Sequence, residues 1–153
     1  MSGIIFREAT RNDLGAIVAL LADDELGRTR ERVETPPADC YEKAFAAVEA
    51  NPGQQLIVAT EDGAVVGTMQ LSFLPGIARQ GQWRGQIEGV RVAASHRGGG
   101  LGRRMILWAI EQCRARGCGL VQLTSDKSRK DAHRFYDRLG FVASHEGYKL
   151  TLS

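Results

Sequence analysis

The chain has 153 residues, a length typical of one domain, and we expect residues 1–153 to form a single domain around one hydrophobic core. Hydrophobic residues make up 43% and charged residues 25%, as in ordinary soluble globular proteins. The formal net charge of +2 gives no indication of a nucleic-acid or membrane partner, and no apolar run reaches membrane-spanning length.

The three cysteines are odd in number and lack the spacing of metal ligands, so we interpret Cys40, Cys113 and Cys118 as reduced thiols of a cytoplasmic protein. The first ten residues, MSGIIFREAT, lack the basic segment followed by a long apolar segment that a secretory leader needs. The sequence therefore favours the cytoplasm.

The first half of the chain predicts one strand, two helices and a β-hairpin. A strand over residues 3–7 is followed by Thr10, a helix cap with Asp13 three residues on, and by apolar residues at helical spacing up to Leu21. A second helix is predicted over residues 39–50. Strands over 55–60 and 64–73 surround a Glu-Asp-Gly turn, which is a strong hairpin signal. Residues 23–37 predict a loop or a broken helix, and residues 74–85 predict an exposed loop.

The second half predicts a strand over 87–94, a glycine-rich turn, and a long helix that ends at Gly117. A strand over 119–124, a helix over 130–139 with Gly140 at its C-cap, and strands over 141–145 and 148–152 complete the chain. The order of elements indicates a mixed sheet of about seven strands with helices on its faces.

Residues 97–102 read Arg-Gly-Gly-Gly-Leu-Gly and lie between the predicted central strand and the long helix. A helix N-terminus offers unpaired N–H groups and a partial positive charge, and glycines let an anion approach the backbone, so this turn is a candidate phosphate site. A flexible turn is the simpler alternative. A nucleoside-triphosphate loop would need Lys followed by Ser or Thr, whereas Arg103 and Arg104 follow, and a dinucleotide turn would lie after the first strand.

The same six residues match the pattern Arg/Gln-x-x-Gly-x-Gly/Ala, and residues 132–141, AHRFYDRLGF, match A-x-x-F-Y-x-x-L-G-F. With one helix and one strand between them, the two motifs resemble the GNAT N-acetyltransferase superfamily, and the resemblance covers essentially the whole chain. It implies an α/β (α+β) single-domain fold with a mixed, mostly antiparallel sheet flanked by helices. Two parallel strands, residues 87–94 and 119–124, would splay apart to form the acyl-CoA cleft.

The resemblance also implies acetyl-CoA as co-substrate. No metal is expected, because no spacing of the Cys or His residues suggests a metal site. The pantetheine arm would pair with backbone near Val90 and Val92, and the pyrophosphate would lie on the N–H groups of residues 97–102. Many relatives carry an Asn just before the second motif; this chain has none there, so Ser128 or Asp126 is the expected replacement. The predicted coenzyme-binding residues are Val90, Arg91, Val92, Arg97, Gly98, Gly99, Gly100, Leu101, Gly102, Arg103, Ser128 and Tyr136.

Tyr136 is the candidate general acid, because a phenol stays protonated at neutral pH and can donate to the leaving thiolate. Its helical spacing also predicts a core position for the ring. The two roles are compatible, because the ring can be buried while the hydroxyl reaches the cleft. Glu88 is the candidate base if partial burial raises its pKa, and the alternative is a solvent-facing strand residue. Asp126 is a weaker alternative base. Backbone N–H groups near Val92 would stabilise the oxyanion.

No spacing groups His96, His133 and His145, so we interpret each as a surface histidine. Cys113 lies on the apolar side of the long helix, so we expect it in the core rather than as a nucleophile. Cys118 lacks a local His or carboxylate partner that could activate it as a nucleophile. Direct transfer in a ternary complex is therefore favoured over a covalent acetyl-enzyme.

The acceptor is expected where residues 23–38 and 74–85 meet the thioester. Asp23, Asp24 and Glu25 would attract a cationic amine, whereas Arg79 and Arg84 would attract an acidic group, so its charge stays open. A small-molecule primary amine is the first choice of partner and a protein amine the second. A sensor that binds acyl-CoA without catalysis is a further alternative, and a homodimer is left open.

Overall fold

A computed structural model describes residues 3–153 of the chain. Met1 and Ser2, which begin the segment in which we expect no leader, lie outside the described residues. The chain divides into two compact units, Met1–Gln122 and Leu123–Ser153. The single domain stays a prediction.

The first unit contains all five strands of the described residues and five of their six helices. The strands are β1 (Ile4–Glu8), β2 (Gln54–Glu61), β3 (Ala64–Leu74), β4 (Trp83–Val92) and β5 (Cys118–Gln122). The helices are α1 (Leu14–Ala22), α2 (Gly27–Arg30), α3 (Asp39–Ala50), α4 (Ala78–Gly81) and α5 (Leu101–Ala115), and α6 (Lys130–Arg138) belongs to the second unit. Short 3₁₀ turns cover Arg11–Asp13 and Ala94–His96.

The five strands form one sheet in the order β1-β2-β3-β4-β5. The first three pairs of neighbours are antiparallel and β4 pairs with β5 in parallel, which confirms a mixed, mostly antiparallel sheet flanked by helices. Helix α5 packs on one face through buried side chains at helical spacing, among them Met105, Ala109 and Cys113. On the other face, Leu14 and Phe45 of α1 and α3 form a buried cluster against Leu56.

Thr10, the predicted cap, is the N-cap of the 3₁₀ turn Arg11–Asp13, and this turn leads directly into α1. The Asp13 carboxylate accepts a hydrogen bond from the Thr10 N–H at 2.7 Å and one from Arg7 Nη1 at 2.7 Å. The hydrogen bond from Arg7 holds the pKa of Asp13 below its usual range. This buried carboxylate therefore ties α1 to strand β1.

The two C-terminal strands, expected over residues 141–145 and 148–152, are not formed, so the sheet has five strands and not about seven. The backbone hydrogen bonds of this segment are local, from Phe141 N to Tyr136 O and from Ser144 N to Val142 O. Tyr148, Leu150 and Leu152 keep the alternation of a strand yet are more than four-fifths exposed. Alternation alone is insufficient, because a strand also needs a backbone partner and a surface that covers its apolar side.

The other boundaries differ less. The segment over 23–37, predicted as a loop or a broken helix, contains α2. The predicted loop over 74–85 contains α4, a single turn in which Arg79 and Gln80 have left-handed backbone angles. Strand β4 begins at Trp83 rather than at residue 87, since Arg84 and Gln86 already pair with Leu74 and Ser72. No helix among residues 3–153 combines the length and the apolarity needed to cross a membrane.

Candidate functional site

The glycine-rich turn joins the end of β4 to the start of α5, as predicted. Gly98 and Gly100 have φ angles of 81° and 86°, values that L side chains rarely adopt, and Gly100 is the N-cap of α5. A Cβ added to either glycine would meet no heavy atom within 4 Å, and no side chain caps the helix. The first N–H groups of α5 therefore have no side-chain cap, and the space beside the two glycines is open, an arrangement that fits the diphosphate of a coenzyme.

Two side chains beside this turn bind distant parts of the first unit. His96 Nε2 and Glu61 Oε1, at the end of β2, are joined by a hydrogen bond of 2.7 Å, and His96 Nδ1 contacts the Ser95 hydroxyl at 2.8 Å. The His96 ring, expected at the surface, is therefore partly exposed and held between two partners. Arg97 donates from Nη2 to the Asp23 carbonyl at 3.1 Å, which connects the turn to the end of α1.

Strands β4 and β5 pair only over a short stretch. Their register runs from Trp83 and Cys118 to Gln86 and Gln122, and β4 then continues alone on that side to Val92. The carbonyls of Val90 and Val92 accept hydrogen bonds from Arg91 Nη1 at 2.9 Å and from Arg97 Nε at 3.1 Å. The backbone predicted to meet the pantetheine arm thus lies beyond the last β4–β5 pair, with these two oxygens engaged by arginine side chains.

A bulge interrupts β4 between these features. Gln70 pairs with Glu88 and Thr68 with Arg91, so three steps along β4 correspond to two along β3, and Gly89 has a φ of 63°. The extra residue brings Glu88 and Arg91 to the same face of the sheet. Arg91 Nε lies 3.0 Å from Asp24 Oδ2 in a largely buried ion pair, which holds the loop after α1. The contact of Arg91 with the coenzyme stays a prediction.

Glu88 is exposed on the sheet face that carries α1 and α3, so the partial burial expected of a candidate base is absent. Gln86 Nε2 donates to Glu88 Oε1 at 3.3 Å, and Gln122 Nε2 donates to Gln86 Oε1 at 3.0 Å. Farther along the same face, Gln70 and Ser72 donate to the side-chain oxygen of Gln54 at 2.8 and 3.0 Å. We call this set the polar face; its members are Gln54, Gln70, Ser72, Gln86, Glu88 and Gln122.

The second unit contains Tyr136 on α6. Its ring makes edge contacts with Phe135 and Phe141, whose centroids lie 5.1 and 5.7 Å from that of Tyr136. The side chain is half-buried, in agreement with the expected core contribution of the ring. Its role as the acid stays a prediction.

Asp126 and Ser128, near the position where many relatives carry an Asn, form a small hydrogen-bonded turn within the second unit. Ser128 donates to Asp126 Oδ1 from its N–H at 2.9 Å and from its hydroxyl at 2.6 Å. These bonds hold the pKa of Asp126 below its usual range, which weakens the case for Asp126 as a base.

Cys113 and Cys118 are poor nucleophiles. Cys113 is buried, and burial and the neighbouring Cys118 raise its pKa to about 11; burial also raises the pKa of Cys118. Among residues 3–153, no group of three or more His, Cys, Asp or Glu side chains is arranged to hold a metal ion.

The sequence prediction named the turn, Glu88 and Tyr136, but missed the polar face around Glu88. The only sequence signal for the polar face was the alternation of polar residues in β3 and β4. That signal was insufficient, because which of these residues are neighbours depends on strand register.

Comparison with known proteins gives a family and several relatives. The family model described as "Acetyltransferase (GNAT) family" matches residues 18–141. The aminoalkylphosphonate N-acetyltransferase of Salmonella typhimurium is 31% identical over 139 residues, which cover 91% of this chain and 85% of that protein. The glucosamine 6-phosphate N-acetyltransferase of Trypanosoma brucei brucei is 40% identical over 90 residues, 59% of each chain. Among solved structures, a transcriptional regulator from Bacillus halodurans C-125 is 48% identical, with a TM-score of 0.95 over 97% of this chain and 99% of that one.

Proposed function

The chain belongs to the GNAT acetyltransferase family and is an acetyl-CoA-dependent acetyltransferase; we propose that it acetylates the primary amine of a small molecule by direct attack in a ternary complex. The observation that carries the proposal is the open glycine turn at the head of α5, with Gly98 and Gly100 in conformations that side chains would disfavour. N–H groups from residues 97–102 bind the diphosphate, and Arg103 adds positive charge.

We assign the proton transfers to Glu88 and Tyr136. Glu88 accepts a proton from the acceptor ammonium group, directly or through water, so that the neutral nitrogen attacks the thioester carbon. N–H groups near Val92 stabilise the resulting oxyanion. When the carbon–sulfur bond breaks, Tyr136 donates its phenolic proton to the leaving thiolate. The exposure of Glu88 supports its access to an acceptor, and the match of residues 132–141 to the second motif supports Tyr136.

The remaining coenzyme contacts follow the family motif. Val90 and Val92 offer N–H groups to the pantetheine arm, Arg91 orients the loop after α1 through Asp24, and Ser128 replaces the usual Asn. Direct attack is supported by the raised pKa of Cys113 and Cys118, because a protonated thiol is a weak nucleophile.

Two named relatives support a small-molecule acceptor, since one acts on aminoalkylphosphonates and the other on glucosamine 6-phosphate. A protein amine is the second choice. A non-catalytic acyl-CoA sensor is the third, and the similarity to a protein described as a transcriptional regulator favours testing it. We place the enzyme in the cytoplasm, where the three free thiols would stay reduced, and propose no metal.

The test is a screen of thiol release from acetyl-CoA with small amines, amino sugars and peptides that carry a free N-terminus or lysine. Acetylation of a small amine, confirmed by mass spectrometry, is the expected result. Acetylation of peptides alone would contradict the proposed acceptor. Tight binding of acetyl-CoA by calorimetry, with no turnover on any amine, would support the sensor instead.

A further inference from the structure

We infer that Arg84 binds an anionic group of the acceptor, so that the preferred substrates are amines that carry an oxyanion, such as phosphonate, phosphate or carboxylate, away from the reacting nitrogen. This inference rests on the proposed function, because it names the class of amine that the same site selects. It resolves the conflict between the acidic and basic residues near the acceptor.

Arg84 differs from the other arginines in its surroundings. Three arginines of residues 3–153 are half-buried, namely Arg7, Arg84 and Arg91, and the others are exposed. Arg7 pairs with Asp13 at 2.7 Å and Arg91 with Asp24 at 3.0 Å. Arg84 forms no ion pair with any acidic side chain of the described residues. A guanidinium partly withdrawn from water favours a counterion, and a ligand can supply it.

Strand register places Arg84 on the same side of the sheet as the polar face. Phe73 and Gly85 face α5, where Arg116 lies over the Phe73 ring and a Cβ on Gly85 would meet Cys113. Arg84, one residue before Gly85, therefore projects to the opposite face, as Gln86 and Glu88 do. Its direct neighbours across the sheet are Leu74 on β3 and Leu120 on β5. These apolar neighbours offer the guanidinium no polar partner, and a low-polarity flank strengthens an ion pair with a ligand.

The groups between Arg84 and Glu88 have no net charge. Alternate residues on one strand face are about 6.6–6.8 Å apart, so the Cα atoms of Arg84 and Glu88 are separated by about 13 Å before their side chains extend. The Gln86 amide lies between them and is fixed by its bonds to Glu88 and Gln122. A cation and a carboxylate separated by neutral amides complement a zwitterion whose ammonium meets Glu88 and whose oxyanion meets Arg84.

The experiment compares aminoethylphosphonate with its diethyl ester, which has the same amine and no anionic charge. We expect Arg84→Gln to lower kcat/KM for aminoethylphosphonate by about 10- to 100-fold, the range of one hydrogen-bonded ion pair, with the ester within about twofold. Arg84→Lys should recover part of the loss, because it keeps the charge but not the planar fork. Arg114→Gln is the matched control, since it removes an exposed arginine from α5 on the other face of the sheet and should leave both substrates unchanged.

An equal loss with both substrates would show a structural role for Arg84 and overturn the inference, as would no loss with either. β-Alanine tests a carboxylate in place of the phosphonate. If Arg84→Gln lowers kcat/KM equally for β-alanine and aminoethylphosphonate, Arg84 recognises the negative charge rather than the tetrahedral shape.

Failure of the proposed function is seen separately, as no turnover of any amine by the native enzyme. In that case calorimetry of aminoethylphosphonate with the CoA-bound protein decides the inference. Binding that weakens tenfold or more in Arg84→Gln supports it, and absence of binding to the native protein overturns it.

Discussion

Replacement of Gly100 by alanine tests the proposed diphosphate site with an internal control at the other end of the same helix. Gly100 and Gly117 flank α5 with φ angles of 86° and 80°, and a Cβ added to either meets nothing within 4 Å. The left-handed conformation costs an alanine about 1–2 kcal/mol, so Gly100→Ala and Gly117→Ala should lower stability by similar amounts. Only the Gly100 methyl would project beside the N–H groups that we propose bind the anion.

We therefore expect the two variants to have similar urea midpoints and different affinities for acetyl-CoA. Calorimetry should show at least about a tenfold weaker affinity for Gly100→Ala, equal to about 1.4 kcal/mol, and an unchanged affinity for Gly117→Ala. Equal affinities in the two variants would refute the anion-binding role of the turn. A loss of affinity in both would mean that α5 as a whole is disturbed.

Three further changes test the proton chemistry and the cap of α1. Tyr136→Phe should lower kcat by about 100-fold or more in steady-state assays with little change in acetyl-CoA affinity, and unaltered kcat would remove Tyr136 as the acid. Glu88→Gln should abolish the rise of kcat/KM with pH, whereas an unchanged profile would place the base elsewhere. Asp13→Asn should cost about 1–2 kcal/mol at pH 7, because the pKa of Asp13 is lowered in the folded state and its stabilisation is present above the unfolded pKa of about 3.9. That difference should vanish as pH falls through the lowered folded pKa. Urea midpoints measure it, with the exposed Asp39→Asn as control; a pH-independent difference would refute the account.

Features set by neighbouring residues could be predicted from the sequence. The helix Asp39–Ala50 has the predicted ends, because the Asn-Pro-Gly that follows cannot continue a helix. The turn at Gly98 and Gly100 joins a strand to a helix as predicted, and both residues have positive φ, which glycine adopts without strain.

Features that depend on distant partners could not be predicted. His96 meets Glu61 across 35 positions, and Arg91 meets Asp24 only because β4 is bulged. Tyr148 and Leu150 have the alternation of a strand, yet alternation is silent on whether a neighbouring strand exists. The sequence named Arg84 together with Arg79, and the two are separated only by the structure, in which Arg79 is exposed and Arg84 is half-buried.

The bulge at Gly89 has a consequence for anyone who edits or transplants this strand. In a regularly pleated segment, side chains three positions apart emerge on opposite surfaces, so Glu88 and Arg91 share a surface only through the additional residue. Deleting Gly89 would restore strict alternation and rotate the Arg91 guanidinium towards the hydrocarbon beneath α5, leaving Asp24 without its cation. A copy of the site grafted onto another protein must therefore include the bulge at Gly89 as well as the side chains.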